Sequence, residues 1–209
     1  GIALDGRPVR TPKRALLVLP TGALARAVAD EWAAVEGELT PTALPLTGIA
    51  NAAVDIVGED PPAFAAALAA YAESDLTCYR AEGPQRQVAA WEPPLKAVEA
   101  RHGLLFRRTA GIVHVAQPAE TLVAVRALLE GLDQWRLAAL QPVVTLSGSL
   151  VLALALLDGL IDADACFRSG HVDELWQAEQ WGEDAMAAGA REERRRALGT
   201  AALFLSLLD

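Results

Sequence analysis

The stretch VVTLSGSLVLALALLDGLI, Val143 to Ile161, decides whether this chain is a membrane protein or a helical globule. Its length is close to the roughly 20 residues that a bilayer-spanning helix needs. Ser147, Gly148 and Ser149 interrupt the apolar run, Asp158 lies inside it, and neither end is closed by Lys or Arg. Those flanks and that charge describe a buried core helix and not a membrane span. A helix that is apolar all round must be wrapped by others.

The rest of the composition agrees with a packed globule. Of 209 residues, 53% are hydrophobic and 22% charged, which is too apolar for a disordered chain. A formal charge of -9 repels phosphate backbones and anionic membranes, so no nucleic acid partner and no membrane insertion are expected. The apolar run Ile2 to Leu4 is too short for a signal peptide. Cys78 and Cys166 stand far apart without a C-x-x-C spacing, which points to a reducing, cytoplasmic compartment and to neither disulfide nor zinc knuckle.

The chain begins β-like and continues as helix. Asp5-Gly6 predicts a hairpin between Ile2 to Leu4 and Val9, and Arg14 to Leu19 supplies another strand. Thr21 is the expected N-cap of a first helix whose buried stripe is Leu24, Val28, Trp32 and Val35, closed by Gly37. Thr40-Pro41 to Pro45 reads as an extended linker, placing a small domain at 1–44 and a larger one at 45–209. In the larger one, helices are expected at Thr47 to Val57, at Pro61 to Tyr79 behind an Asp60 cap, and from Pro93-Pro94 to Gly103. Leu104 to Arg108 and Ile112 to Val115 predict a hairpin around Ala110-Gly111. Six helical segments follow: Pro118 to Glu130, Asp133 to Leu140, Ser147 to Asp158, Asp162 to Arg168, Val172 to Ala188 and Arg191 to Leu208. The fold class is therefore α+β, with a small β-rich N-terminal domain and a mainly helical remainder that contains a hairpin.

The chain lacks the residue spacings of common metal, nucleophile and nucleotide sites. His102, His114 and His171 have no spacing that places two imidazoles around zinc, so no metal is expected. Ser147-Gly148-Ser149 lacks the second glycine of a nucleophile elbow and reads as a helix entry with Ser147 as N-cap. Neither G-x-G-x-x-G nor G-x-x-x-x-G-K-[ST] occurs, so no cofactor and no nucleotide requirement are expected.

One stretch rises above this background, running from His171 through Glu174, Leu175, Trp176, Gln177, Glu179 and Trp181 to Gly182, Glu183 and Asp184. On a helix Glu174, Gln177 and Trp181 share one flank, with Glu179 and Glu183 four apart. The stretch is either a solvated acidic face or a protein-binding surface. Trp in a polar, anionic surround anchors interfaces, and paired carboxylates select Arg-bearing partners.

Six segments, in order, carry a resemblance. They are Leu4-Asp5-Gly6-Arg7-Pro8-Val9-Arg10-Thr11-Pro12, Ala29-Asp30-Glu31-Trp32, Pro45-Leu46-Thr47-Gly48-Ile49-Ala50-Asn51-Ala52-Ala53-Val54-Asp55, Asp75-Leu76-Thr77-Cys78-Tyr79-Arg80, Ser147-Gly148-Ser149 and Gln180-Trp181-Gly182-Glu183-Asp184. Over almost its whole length the chain resembles a bacterial member of the assembly chaperones of F-type ATP synthase, the assembly factor 2 type, which hold the unassembled alpha subunit. One departure is Gly48, which stands where a Leu or similar residue is expected. The resemblance implies no active site and a client in place of a substrate. That client is the alpha subunit, bound where the beta subunit later docks, with Glu174, Gln177, Trp181, Glu183 and Asp184 as contacts. Trp32 is expected to support the junction between domains. The alternative is a small-molecule-binding protein or enzyme with a pocket among the helices and Asp55, Asp75 and Arg80 as its polar groups.

Overall fold

Around Gly6, Ala3–Leu4 (β1) and Arg7–Pro8 (β2) pair antiparallel, as the hairpin dipeptide predicts. The structure is a computed structural model and describes residues 2–4, 6–37, 40, 43–81, 85–111 and 113–209; Asp5 and Ile112 lie outside them. Beyond β2 the chain turns through Pro12, and Arg10 faces Leu16 in an antiparallel bridge.

Thr21 caps helix α1 (Gly22–Ala33) by accepting from the Leu24 amide at 3.1 Å, while its hydroxyl donates to the Leu207 carbonyl at 2.5 Å. Leu24 and Val28 are fully buried, but Trp32 and Val35 are only half-buried and the helix stops at Ala34, short of Gly37. The reason is that this end of α1 builds the next element. Helix α2 (Pro45–Asp55) starts at Leu44, which has no side chain able to cap. Glu31 caps it from α1 instead, accepting from the Leu46 amide (2.6 Å), the Thr47 amide (2.9 Å) and the Thr47 hydroxyl (2.7 Å). The Trp32 indole N–H donates to the same Thr47 hydroxyl at 2.9 Å. At the far end of α2, Asp55 accepts from the Thr11 hydroxyl (2.6 Å) and the Lys13 amide (2.9 Å), clamping the turn after β2. Gly48 lies on the exposed side of α2, where a Cβ would meet open space.

Helix α3 (Pro61–Ala69) opens behind Asp60 as expected but ends ten residues before Tyr79. Two 3-10 turns, Ala70–Ser74 and Leu76–Cys78, replace its continuation, because Asp75 adopts an extended backbone and turns its side chain inward. Its carboxylate accepts from the Thr77 amide (3.0 Å) and hydroxyl (2.7 Å), the Ser149 hydroxyl (2.8 Å) and the Val151 amide (2.9 Å). Tyr79–Arg80 (β3) then pairs in parallel with Thr109–Ala110 (β4). The expected hairpin is absent among the described residues: Gln117 and Thr121 side chains bond the backbone of Arg107 and Leu105 instead.

Helix α4 (Gln85–His102) contradicts the expectation that Pro93-Pro94 opens a helix; both prolines sit inside it. Pro94 has no N–H for the carbonyl of Ala90. The Ser169 hydroxyl donates to that carbonyl at 3.3 Å, and Trp91 Nε1 donates to the Ser169 carbonyl at 2.7 Å. Helices α5 (Ala119–Glu130) and α6 (Gln134–Ser147) follow. The apolar stretch at 143–161 is two helices, α6 and α7 (Leu150–Leu157), turned at Gly148, whose left-handed φ of 68° is costly for any residue with a Cβ. Ser149, not Ser147, is the N-cap of α7, accepting from the Leu152 amide at 3.0 Å. Every residue from Leu150 to Ala155 is buried, as an all-apolar helix requires. Helix α8 (Ala163–Gly170) crosses α6 so closely that a Cβ on Gly170 would lie 2.9 Å from the Ser147 Cα and Cβ. Helix α9 (Val172–Trp181) breaks at Gly182, and α10 (Ala185–Ser206) packs against α6 and α2. The buried apolar residues, from Leu17 to Leu205, form one continuous cluster. No described helix is long and apolar enough to cross a membrane.

Candidate functional site

The α9–α10 corner gathers the residues singled out in the sequence. Glu174, Gln177 and Trp181 project from one flank of α9, Glu183 follows the break at Gly182, and Asp184 starts α10 by accepting from the Met186 and Ala187 amides, both at 3.0 Å. With Arg191 these five line one shallow depression of about 210 Å³.

Their charges, however, are largely spent inside the molecule. Arg194 donates to both Glu174 oxygens, at 2.7 and 2.6 Å, and Arg191, only 7% exposed, reaches Glu183 at 2.5 Å and Glu174 at 3.9 Å. Asp184 is a helix cap. The partners come from Arg191-Glu192-Glu193-Arg194 on α10, a pattern that pairs with α9 only once the break at Gly182 folds the two helices together. Trp181 is 74% exposed, and Gln177 is exposed beside it. Trp176 meets Trp181 edge-on at 5.4 Å and an interplanar angle of 76°, in the geometry aromatic pairs prefer.

Behind Trp176 lies a second concavity that the sequence did not reveal, because Pro93-Pro94 read as a helix start. It is an open groove of about 500 Å³ between α4, α8 and α9, with Ala89, Pro93, Pro94, Val172, Leu175 and Trp176 among its walls. The Arg86 guanidinium stacks 4.0 Å over the Trp176 ring and reaches Asp173 at 3.5 Å.

His171 joins the two ends of this region. Its Nδ1 lies 3.0 Å from the Phe167 carbonyl, which only a protonated Nδ1 can serve, and Nε2 then accepts from Arg194 Nε at 3.2 Å. The imidazole is thus neutral, and burial first, with Arg194 and Arg191 adding to it, holds its pKa below the usual value. As pH falls below about 6.5 the unfolded chain takes up this proton before the folded one, so the stability from His171 is complete above that pH and is lost as the pH falls through the folded pKa. Between about pH 7.5 and 5.5 the melting temperature of the parent should fall more steeply than that of His171→Gln, which cannot titrate. Parallel slopes would show that His171 is already free to charge in the folded protein.

The polar groups of the alternative reading do not converge. Asp55 clamps the N-terminal turn, Asp75 is sealed under α7, and Arg80 donates to Glu92 at 2.5 Å. Burial outweighs its four donors and holds the Asp75 carboxyl above the usual carboxylate range, and it opens onto none of the cavities described. Cys78 and Cys166 are buried, and burial pushes both thiols up to about 12, Cys78 with added repulsion from Asp75. Among the described residues no three His, Cys, Asp or Glu gather as a metal site.

Residues 1–99 match the family described as ATP12 chaperone protein. The chain is similar to mitochondrial protein atp12 of Schizosaccharomyces pombe, 24% identical over 226 residues that cover all of this chain and 78% of that protein. It also superposes on crystallographic Atp12 of Paracoccus denitrificans with a TM-score of 0.91 and 39% identity, over 99% of this chain and 91% of the other. A single-substitution mutant of the same Paracoccus protein gives a TM-score of 0.93 with 38% identity, over 99% and 90% of the two chains.

Proposed function

Since this chain belongs to the ATP12 chaperone family, a family of chaperones and not of enzymes, we propose that it holds the unassembled alpha subunit of F-type ATP synthase. In this reading it covers the surface that the beta subunit later occupies and is displaced when beta docks, because the final interface is larger and tighter. It works without nucleotide, and in the cytoplasm if the host is bacterial. The helical body, residues 45–209, carries the Trp181 client contacts, and the small unit, residues 1–44, is held against it through Trp32 and Glu31. The observation that supports the reading most directly is Trp181, a large side chain left 74% exposed, braced edge-on by Trp176 over a depression lined by Glu174, Gln177, Glu183 and Asp184. Exposed aromatic anchors with a polar rim are the residue pattern of protein interfaces.

Light scattering of isolated alpha subunit tests it. The protein in excess should suppress aggregation without ATP, and Trp181→Ala should weaken that protection about tenfold or more while leaving the melting temperature within about 1 °C, as for loss of an interface anchor on an otherwise intact surface. Unchanged aggregation, or protection only when ATP is added, would sink the proposal.

A further inference from the structure

The segment after β2 ends the small N-terminal sheet with an open side. The Thr11 amide donates to the Ala15 carbonyl at 2.9 Å and the Leu17 amide to the Val9 carbonyl at 3.0 Å, with Arg10 and Leu16 facing each other between them. In that antiparallel register the main-chain groups of Leu17 point toward Val9, and those of Leu16 and Val18 point the opposite way. No N–H or C=O of Leu16 or Val18 has a hydrogen-bond partner among the described residues. The side chains alternate to match: Leu17 and Leu19 are core, whereas Leu16 is 51% and Val18 58% exposed. Unpaired main-chain groups flanked by an apolar face are a template for another strand.

Charge narrows what that strand is. Residues 2–26 contain Arg7, Arg10, Lys13, Arg14 and Arg26 against Asp5, in a chain whose formal charge is -9. Lys13 is held by Glu59, but Arg7, Arg10 and Arg14 are exposed and have no carboxylate partner among the described residues. The Asp55 clamp on Thr11 and Lys13 fixes the turn in advance, so the edge is set before anything binds.

We propose that Ala15–Leu19 takes up an extended segment of the client as an added strand, a segment with apolar side chains at alternate positions and Asp or Glu at its flanks. A second copy of this chain is the wrong occupant, because pairing two such edges would bring their arginines together. The inference rests on the reading of the protein as a chaperone for the alpha subunit.

Amide hydrogen exchange resolved to single residues, with and without an excess of isolated alpha subunit, tests it. Protection at Leu16 and Val18 should rise about tenfold or more on complex formation, while Leu17, already bonded, should change little. The double variant Leu16→Ser with Val18→Ser should keep the parent melting temperature and bind the subunit about tenfold more weakly, the apolar face being lost. A complex in which Leu16 and Val18 exchange as before overturns this inference and leaves the chaperone reading standing. Absence of any complex overturns both. Protection that grows with the protein's own concentration, without the subunit, overturns it in favour of self-pairing.

Discussion

Asp75→Asn is expected to cost about 3 kcal/mol or more, the penalty for leaving buried donors unmet. One Asp75 oxygen takes the Thr77 amide, the Thr77 hydroxyl and the Ser149 hydroxyl; the other takes the Val151 amide. Every one of these partners donates, so the carboxylate is used purely as an acceptor, as only its ionised form can be. Asparagine supplies one oxygen and one NH2. Whichever way it is turned, the NH2 faces at least one donor in a site with no exposure to water. In a protein of this size the cost corresponds to a fall in melting temperature on the order of 10 °C. Calorimetry of the variant is the measurement, and a parent-like transition would mean that the buried carboxyl is protonated and that asparagine reproduces it.

The second large effect belongs to Trp91→Ala, at about 3 to 5 kcal/mol for removing a buried Trp. The indole is sealed between α4 and α8, and its N–H holds the Ser169 carbonyl while the Ser169 hydroxyl holds the carbonyl left over by Pro94. Loss of the ring opens a cavity and unpicks both bonds at the kink. Trp91→Phe separates the two contributions, since it keeps most of the ring and abandons only the bond to Ser169, for about 1 to 3 kcal/mol. Denaturant unfolding should therefore order the variants parent, Phe, Ala; Phe as destabilised as Ala would place the whole effect in the hydrogen bond.

The N-cap at Thr21, the hairpin around Gly6, the Asp60 cap and the all-apolar α7 were legible in the sequence because each depends on residues within one turn of each other. The misreadings share the opposite character. Pro93-Pro94 looked like a helix start because its compensation, Ser169, lies 75 residues or more away. Ser147 looked like a cap because the left-handed turn at Gly148 divides what periodicity alone presents as one helix. Tyr71 to Tyr79 looked helical because nothing local announces that Asp75 will be claimed by Ser149 and Val151. Among the candidate contact residues the spacing correctly set Glu174, Gln177 and Trp181 on one flank. It could not disclose that Arg191 and Arg194 return on α10 to meet two of the carboxylates. The resemblance motifs divide in the same way: the Asp75 and Ser147 segments meet in one buried knot, and the Thr11 and Asp55 segments in another, so side chains of four of the six motifs help hold the fold together.

If a partner docks on the α9 surface, the arginines of α10 shape the thermodynamics of that docking. With Glu174 and Glu183 already paired from within, docking against Trp181 would release few counterions and mainly remove ring surface from water. Its calorimetric signature is a negative heat-capacity change that persists at high ionic strength, whereas attachment at the basic N-terminal edge fades as salt is added. A client gripped at both places would lose its grip in two stages along a salt titration, the electrostatic hold first and the aromatic one last.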